Sequence, residues 1–290
     1  MKTLVLSSSL STSSLAPTPV TGGPLRQWLT VLHRVNPVLS GAGWVHVPLV
    51  VLALALLPFD DRVVLGLNVW LKPLKFALSD IIYLWSLGWL LADLPAPAQR
   101  SVRRISWGVA VSILVEIGVI YLQAARGTTS HFNVASPLDG LLFSLMGVFI
   151  MLNTGLLSWA LVLSLRHRPF GSVSYVWGLR LGLGLFLVGS AVGGAMIHHL
   201  GHTFGGADGG PGLPGLGWST RHGDLRAAHF LGLHALQALP LFGWLLTRYF
   251  PGLRHRTQLL GILSFALLYS AIIAWLYVHA LQGLPFWKLS

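Results

Sequence analysis

The sequence contains no cysteine. That excludes disulfides, zinc–thiolate sites, iron–sulfur clusters and thiol nucleophiles, and leaves His, Asp, Glu, Asn and Met as possible metal ligands. Charge is nearly as scarce. Asp, Glu, Lys and Arg make up 9% of the 290 residues, against 54% hydrophobic. A water-soluble domain carries roughly 25% charged residues, so this chain is read as an integral membrane protein. Acidic residues are the rarest of all, eight against nineteen Lys and Arg, for a net charge of +11. No RNA- or DNA-binding motif accompanies that excess, so nucleic acid is not an expected partner. In a membrane chain it fits loops held against anionic lipid. The first forty residues also lack the apolar core of about 7–15 residues that a signal peptide needs. Rich in Ser, Thr and Pro, residues 1–40 read as a disordered cytoplasmic tail, with Leu25–Val35 as an interfacial helix.

Long apolar runs are what the chain has in quantity. A helix needs about 20 such residues to cross a bilayer. Seven runs qualify: Gly41–Phe59, Leu74–Leu91, Ile105–Gln123, Leu138–Leu165, Trp177–His199, Leu225–Phe250 and Gln258–Leu281. The breaks between them carry turn chemistry, as in "PFDDR", "DLPAPAQR", "RHRPFGS" and "FPGLRHR". The expected fold class is an all-α integral membrane protein, a single seven-transmembrane-helix bundle over residues 41–290. Counting cations on alternate sides gives twelve (Lys2, Arg26, Arg34, Arg100, Arg103, Arg104, Arg166, Arg168, Arg180, Arg248, Arg254, Arg256) against seven (Arg62, Lys72, Lys75, Arg126, Arg221, Arg226, Lys288). The positive-inside rule puts the first set, and the N-terminus, in the cytoplasm.

Polar residues gather toward the outer half. In the second span, Lys72, Lys75 and Ser79 share a face, and Asp80 lies roughly 12 Å deeper than Lys72 at 1.5 Å per residue. Glu116, on the third span with Ser112 and Gln123, reaches a similar depth. Ionisable groups in a bilayer cost a few kcal/mol and turn inward. Asp80 and Glu116 are therefore either structural, neutralised by Lys75 or Arg126 or protonated, or they belong to a proton relay or ion site. The loop after the third span, "QAARGTTSHFNVASPLDG", adds Arg126, Ser130, His131, Asn133 and Asp139, with Asn133 and Ser136 as candidate caps of the fourth span.

Six of the twelve histidines fall between Ala195 and Gln237. His198 and His202 have i, i+4 spacing, and His199 is about 100° away. Between the fifth and sixth spans, Thr203–Gly223 holds eight glycines and two prolines, a composition that suits a lid. Asp224 reads as the N-cap of the sixth span, and Arg226 and His229 lie one turn apart on it, with His234 and Gln237 beyond. His46, His167, His255 and His279 read as interfacial. The expectation is one polar pocket at the outer ends of the second, third, fifth and sixth spans, lined by Lys72, Lys75, Arg126, His131, His202, Asp224, Arg226, His229 and His234.

Three chemistries compete for it. The favoured one is a b-type haem for electron transfer or redox chemistry, with His198 or His199 and His229 or His234 approaching iron from adjacent spans. Arg226 and Arg126 would meet the propionates, and glycines of the fifth span would leave room for the macrocycle. A quinone or a redox protein would be the partner. The second is a zinc-dependent hydrolase of a lipid or anionic substrate, with ligands among His131, His198, His202 and His229. Asp208 or Asp224 could complete the zinc shell, and Lys72, Lys75, Arg126 and Arg226 could hold the phosphate or carboxylate of the substrate. Lys72, Lys75, Asp80, Glu116, Asp208 and Asp224 are the candidate substrate-binding residues of the pocket. The third is a proton-coupled small-molecule transporter with Asp80 and Glu116 as its coupling site.

The stretches "QAARGTTSHFN" and "GDLRAAHFLGLHALQ" resemble segments shared by a group of bacterial multi-pass inner-membrane proteins of unknown function. The resemblance runs from the second span to the sixth. It implies a bacterial inner-membrane setting and no activity.

Overall fold

The computed structural model describes residues 23–287. Most of the expected disordered tail, and Lys288, lie outside that range. The chain falls into two units, Met1–Val31 and Leu32–Ser290. Helix α1, Pro24–Val35, spans their boundary, and in the first unit Thr30 Oγ1 donates to Arg26 O at 2.8 Å. Among the described residues the second unit contains seven helices long and apolar enough to cross a membrane: α2 (Pro37–Leu56), α3 (Leu71–Ala92), α4 (Gln99–Ala125), α5 (Pro137–Arg166), α6 (Val173–His199), α7 (Leu225–Tyr249) and α8 (His255–Leu281). The protein is thus an all-α, multi-pass membrane protein.

The helix starts follow local chemistry. Asn36 caps α2 by accepting from Leu39 N, with Pro37 at the first position, so the helix begins four residues before the apolar run. Its amide also donates to Ser106 Oγ at 2.9 Å and ties α2 to α4. Ser136 caps α5, Ser172 caps α6 and Asp224 caps α7. Asn133 does not cap a helix. It donates to Thr128 Oγ1 and Thr129 O and accepts from Ala135 N, which folds the α4–α5 loop on itself.

The helices form two groups. Helices α2, α3 and α4 pack on one another with α5 against α4, and α6, α7 and α8 pack on one another. Contacts α5–α6 and α3–α7 join the groups. The α6–α7 contact is the most extensive, because backbone meets backbone along it. A Cβ on Gly189 would lie 2.7 Å from Gly232 C, and one on Gly243 would lie 2.4 Å from Ser174 O. Small residues at such spacing draw membrane helices together where no hydrophobic drive exists between them.

One end of the bundle is built from the segments after α2, α4 and α6. The α2–α3 connection folds into a small hairpin, β1 (Val63–Val64) with β2 (Leu67–Asn68), turned by Leu65 and Gly66 at φ 50° and 77°. The α6–α7 connection carries β3 (Thr203–Phe204) paired with β4 (Gly223–Asp224), and beyond it a smaller loop closed by Gly212 against Ser219. Arg62 Nη1 donates to Ala125 O at 2.9 Å, binding the hairpin to the end of α4. The other half of the bundle is packed with Leu84, Leu87, Leu90, Leu91, Leu157, Leu179, Leu183 and Leu236. A cavity of about 10 Å³ among them is apolar and no larger than one water, so the leucine cluster itself is dry.

Candidate functional site

Helix α3 carries a polar stripe: Lys72, Lys75, Ser79, Asp80, Tyr83 and Ser86, at helical steps of three and four. It enters from the loop end and runs roughly 21 Å down the helix at 1.5 Å per residue. Each neighbouring helix supplies a partner. At the top, His131 from the α4–α5 loop lies between Lys72 and Glu116 of α4. Its Nδ1 is 3.1 Å from Lys72 Nζ, and its Nε2 is 3.9 Å from Glu116 Oε1. An ammonium only donates, so Nδ1 is the acceptor, and the neutral ring carries its proton on Nε2, facing the carboxylate. Phe132 next to it adopts φ 57°, the left-handed region that a bulky residue occupies only under strain from its surroundings.

Deeper, Asp80 Oδ2 lies 3.5 Å from Nε2 of His46, a residue with no exposed surface on α2. His46 Nδ1 donates to Ala42 O at 2.8 Å, which leaves Nε2 as an acceptor toward Asp80. Asp80 and Glu116 are close enough for their charges to oppose each other. Below them Tyr83 donates to Asn153 Oδ1 on α5 at 3.0 Å. Gln237 of α7 donates to Ser86 Oγ at 2.9 Å, while its carbonyl oxygen is buried without a hydrogen-bonding partner.

The α6–α7 connection closes the top. His202 Nδ1 is 2.7 Å from Asp208 Oδ2, and the ring meets Phe132 edge-on at 4.9 Å. Burial would raise the Asp208 carboxyl. Hydrogen bonds from His202 and Thr203 outweigh it and hold the group well below the usual carboxylate range. Burial likewise lowers the pKa of His202 against the pull of Asp208. His131 is pushed further down by burial, then by the Lys72 charge and by His202 and His229. Both imidazoles are therefore neutral at pH 7. On α7, Arg226 makes a two-pronged pair with the fully buried Asp224 carboxylate, Nε to Oδ1 at 2.9 Å and Nη2 to Oδ2 at 2.6 Å. His229 Nδ1 donates to Gly189 O at 2.7 Å across the α6–α7 contact.

Ten of the expected residues come together: Lys72, Lys75, Asp80, Glu116, His131, His202, Asp208, Asp224, Arg226 and His229. Four do not. Helix α6 ends at His199, where Leu200 turns left-handed at φ 54°, so His198 and His202 never share a helical face. His198 is exposed, and His199 stacks on Phe204 at 4.0 Å with Nε2 3.0 Å from Thr203 O. His234 packs on Phe230 at 4.2 Å. Arg126 pairs with Asp139 at 2.6 Å and braces the start of α5. Neither Lys75 nor Arg126 neutralises the buried carboxylates, whose neighbours are His46, His131 and Lys72.

Four residues were not expected: His46, Tyr83, Ser86 and Asn153. The signal for His46 was its position. With α2 starting at Pro37, His46 lies near the middle of the span and not at its edge.

The bis-histidine arrangement for haem does not fit this geometry. The α6 glycines lie directly on α7, and a Cβ on Gly193 would already meet His229 Cε1 at 2.9 Å, leaving no slot for a macrocycle between these helices. Among the described residues no three His, Asp or Glu side chains converge so as to hold a metal ion. The presumed zinc set of His131, His198, His202 and His229 is broken by the outward position of His198. Comparison with protein-family models, curated proteins and solved structures returned no match.

Proposed function

We propose that the protein is a proton-coupled carrier of a small solute, with Glu116 and Asp80 as the proton-bearing groups. One observation carries this reading: the ladder of titratable side chains that runs from His202–Asp208 through Lys72–His131–Glu116 to Asp80–His46 and ends above a dry leucine cluster. Buried carboxylates in a bilayer mark proton and ion paths, and each here faces an imidazole whose tautomer is set by its other contact. Protons entering between His131 and Glu116 would pass to Asp80, held beside His46. The excess of Lys and Arg at the other end of the bundle points the ladder away from the cytoplasm, and the sequence resemblance supports a bacterial inner membrane as the bilayer.

The test is reconstitution into liposomes loaded with a pH-sensitive dye, with candidate solutes added outside under an imposed pH gradient. Solute-dependent proton entry is expected in the wild type. Glu116→Gln, which keeps the shape and removes the ionisation, should abolish it. Solute uptake that moves no protons, or unchanged proton entry in Glu116→Gln, would overturn the assignment. A second reading is an acid–base hydrolase working without metal. It is favoured by the His202–Asp208 pair, which orients one imidazole with its Nε2 free to accept a proton. Turnover of an ester or phosphoester that is lost in His202→Gln and kept in Glu116→Gln would select it.

A further inference from the structure

The tip of the α6–α7 connection rests on two cations. Lys75 Nζ from α3 donates to Leu216 O at 2.9 Å, and Arg226 Nη2 from α7 donates to the next carbonyl, Gly217 O, at 2.6 Å. The two cations lie close enough to oppose each other. Arg226 has a counter-charge in Asp224, whereas among the described residues Lys75 is held by a neutral carbonyl alone. Like charges brought together around two neighbouring oxygens make a receptor for an anion with two oxygens of its own.

The covering segment is built to leave. Residues 212–219 form a tight unit of their own, with Leu213 N donating to Trp218 O at 2.8 Å and Gly217 N to Leu213 O at 2.8 Å. It connects to β3 through Gly205, Gly206, Gly209 and Gly210, of which Gly205 and Gly209 have φ of 86° and 92°. Such glycines absorb backbone rotation without side-chain clashes. At the end next to β4 the unit stays anchored, because Ser219 N donates to Asp224 Oδ2 at 2.8 Å and Trp218 packs on the cluster around Met196 and Leu225 and meets Phe230 and Phe286 edge-on. At the tip itself, Gly217 lies over Leu67 of the α2–α3 hairpin.

We infer that Lys75 and Arg226 are the binding site for a carboxylate or phosphate group, and that the carbonyls of Leu216 and Gly217 occupy that site while the segment is closed. An arriving oxyanion takes over both donors, and the 212–219 unit lifts away. The charge balance ties this to the proton ladder. Lys72, Lys75 and Arg226 are offset by Asp208 and Asp224, so the cluster is net positive when Glu116 and Asp80 are protonated and net negative when both are ionised. Proton loading and oxyanion binding then favour each other, as thermodynamic linkage requires. This deepens the carrier reading, but the site itself stands on the lid contacts and not on proton movement.

The experiment reads the segment directly. The Arg221 side chain is exposed between the 212–219 unit and β4, but its backbone N donates to Ser219 Oγ at 3.3 Å. Trypsin, which needs an extended segment, therefore cleaves there only when this turn loosens, and cleavage reports opening. Detergent-solubilised wild type is digested in sodium acetate, sodium phosphate or sodium chloride at matched ionic strength, and the Arg221 product is measured by mass. A several-fold, saturable rise in acetate or phosphate and none in chloride is expected. Acetate alone would identify a carboxylate site, and phosphate alone a phosphate site. Lys75→Met should cleave faster without any anion and respond to none, and Lys75→Arg should restore both behaviours. Equal cleavage in all three salts, or a Lys75→Met profile identical to wild type, would overturn the inference. Because no proton flux is read, failure here is distinguishable from failure of the carrier reading.

Discussion

Replacing Gly232 by alanine probes the contact on which the geometry of α7 depends. The new Cβ would lie 2.4 Å from Gly189 Cα and 2.9 Å from Gly189 N, both backbone atoms of α6 that cannot rotate aside. Restoring an ordinary separation of about 3.5 Å moves the helices apart by roughly 1 Å. A gap of that size forfeits about a quarter to a half of each atom pair's roughly 0.1–0.2 kcal/mol. If the affected stretch holds about 40 pairs, the number one buried leucine makes, the loss is about 1–4 kcal/mol. The helix-forming advantage of alanine does not offset this, because membrane helices stay helical when they separate. Gly184 is the control: an added Cβ there meets nothing within 4 Å, so Gly184→Ala should be neutral. Unfolding in mixed micelles by increasing SDS, followed by tryptophan fluorescence, gives both values. The Gly232 variant should also loosen the His229–Gly189 hydrogen bond and reduce the function of the site. If the two variants unfold within about 0.5 kcal/mol of each other, the close-packed reading of α6–α7 is wrong.

Acid should open the α4–α5 loop. His131 is held neutral by burial and by Lys72, so below about pH 6.5 the opened loop binds a proton that the closed one refuses. Stability of the closed form is therefore complete above that pH and falls beneath it, by about 1.4 kcal/mol at pH 5.5 for one such histidine. Amide exchange over residues 126–136, corrected for intrinsic rate, should rise between pH 7.5 and 5.5 in the wild type and less in His131→Phe; equal rises would refute it. Reporter fusions at Arg104 and Thr128 should read opposite sides of the membrane, with Arg104 cytoplasmic. Protein purified in detergent should show no Soret band that shifts with dithionite, because α6 and α7 leave no slot for a macrocycle; a band lost in His229→Ala would contradict that packing.

The spans were readable because apolar length is a one-dimensional property, and their order in the sequence is enough to count them. Depth was readable as well. Placing Asp80 and Glu116 at one level needed only the rise of a helix, and the two are near enough for their charges to oppose each other. Partners were harder. His46 looked interfacial because the apolar run begins at Gly41, whereas the Asn36 cap starts the helix earlier. His198 and His202 looked paired because nothing in their spacing reveals that the helix stops between them at Leu200. The glycines of α6 were ambiguous in principle. A missing side chain leaves room either for a ligand or for another helix, and only the position of α7 decides which.

The leucine-packed half has an electrical consequence. Below Ser86 the polar stripe gives way to apolar packing down to Asp93, seven residues or roughly 10 Å at 1.5 Å per residue. The hydrocarbon of a bilayer is about 30 Å thick. Charges and dipoles along the upper ladder polarise in response to an applied field, and the dry leucines do not. Most of the transmembrane voltage therefore drops across that thin septum, where the field is about three times steeper than across plain lipid. Moving one charge through it carries nearly the whole of the roughly 2.3 kcal/mol per 100 mV that a full crossing costs. A transport step that carries a charge past the leucines should accordingly be strongly voltage-dependent, whereas charge movement within the upper ladder should hardly respond to voltage.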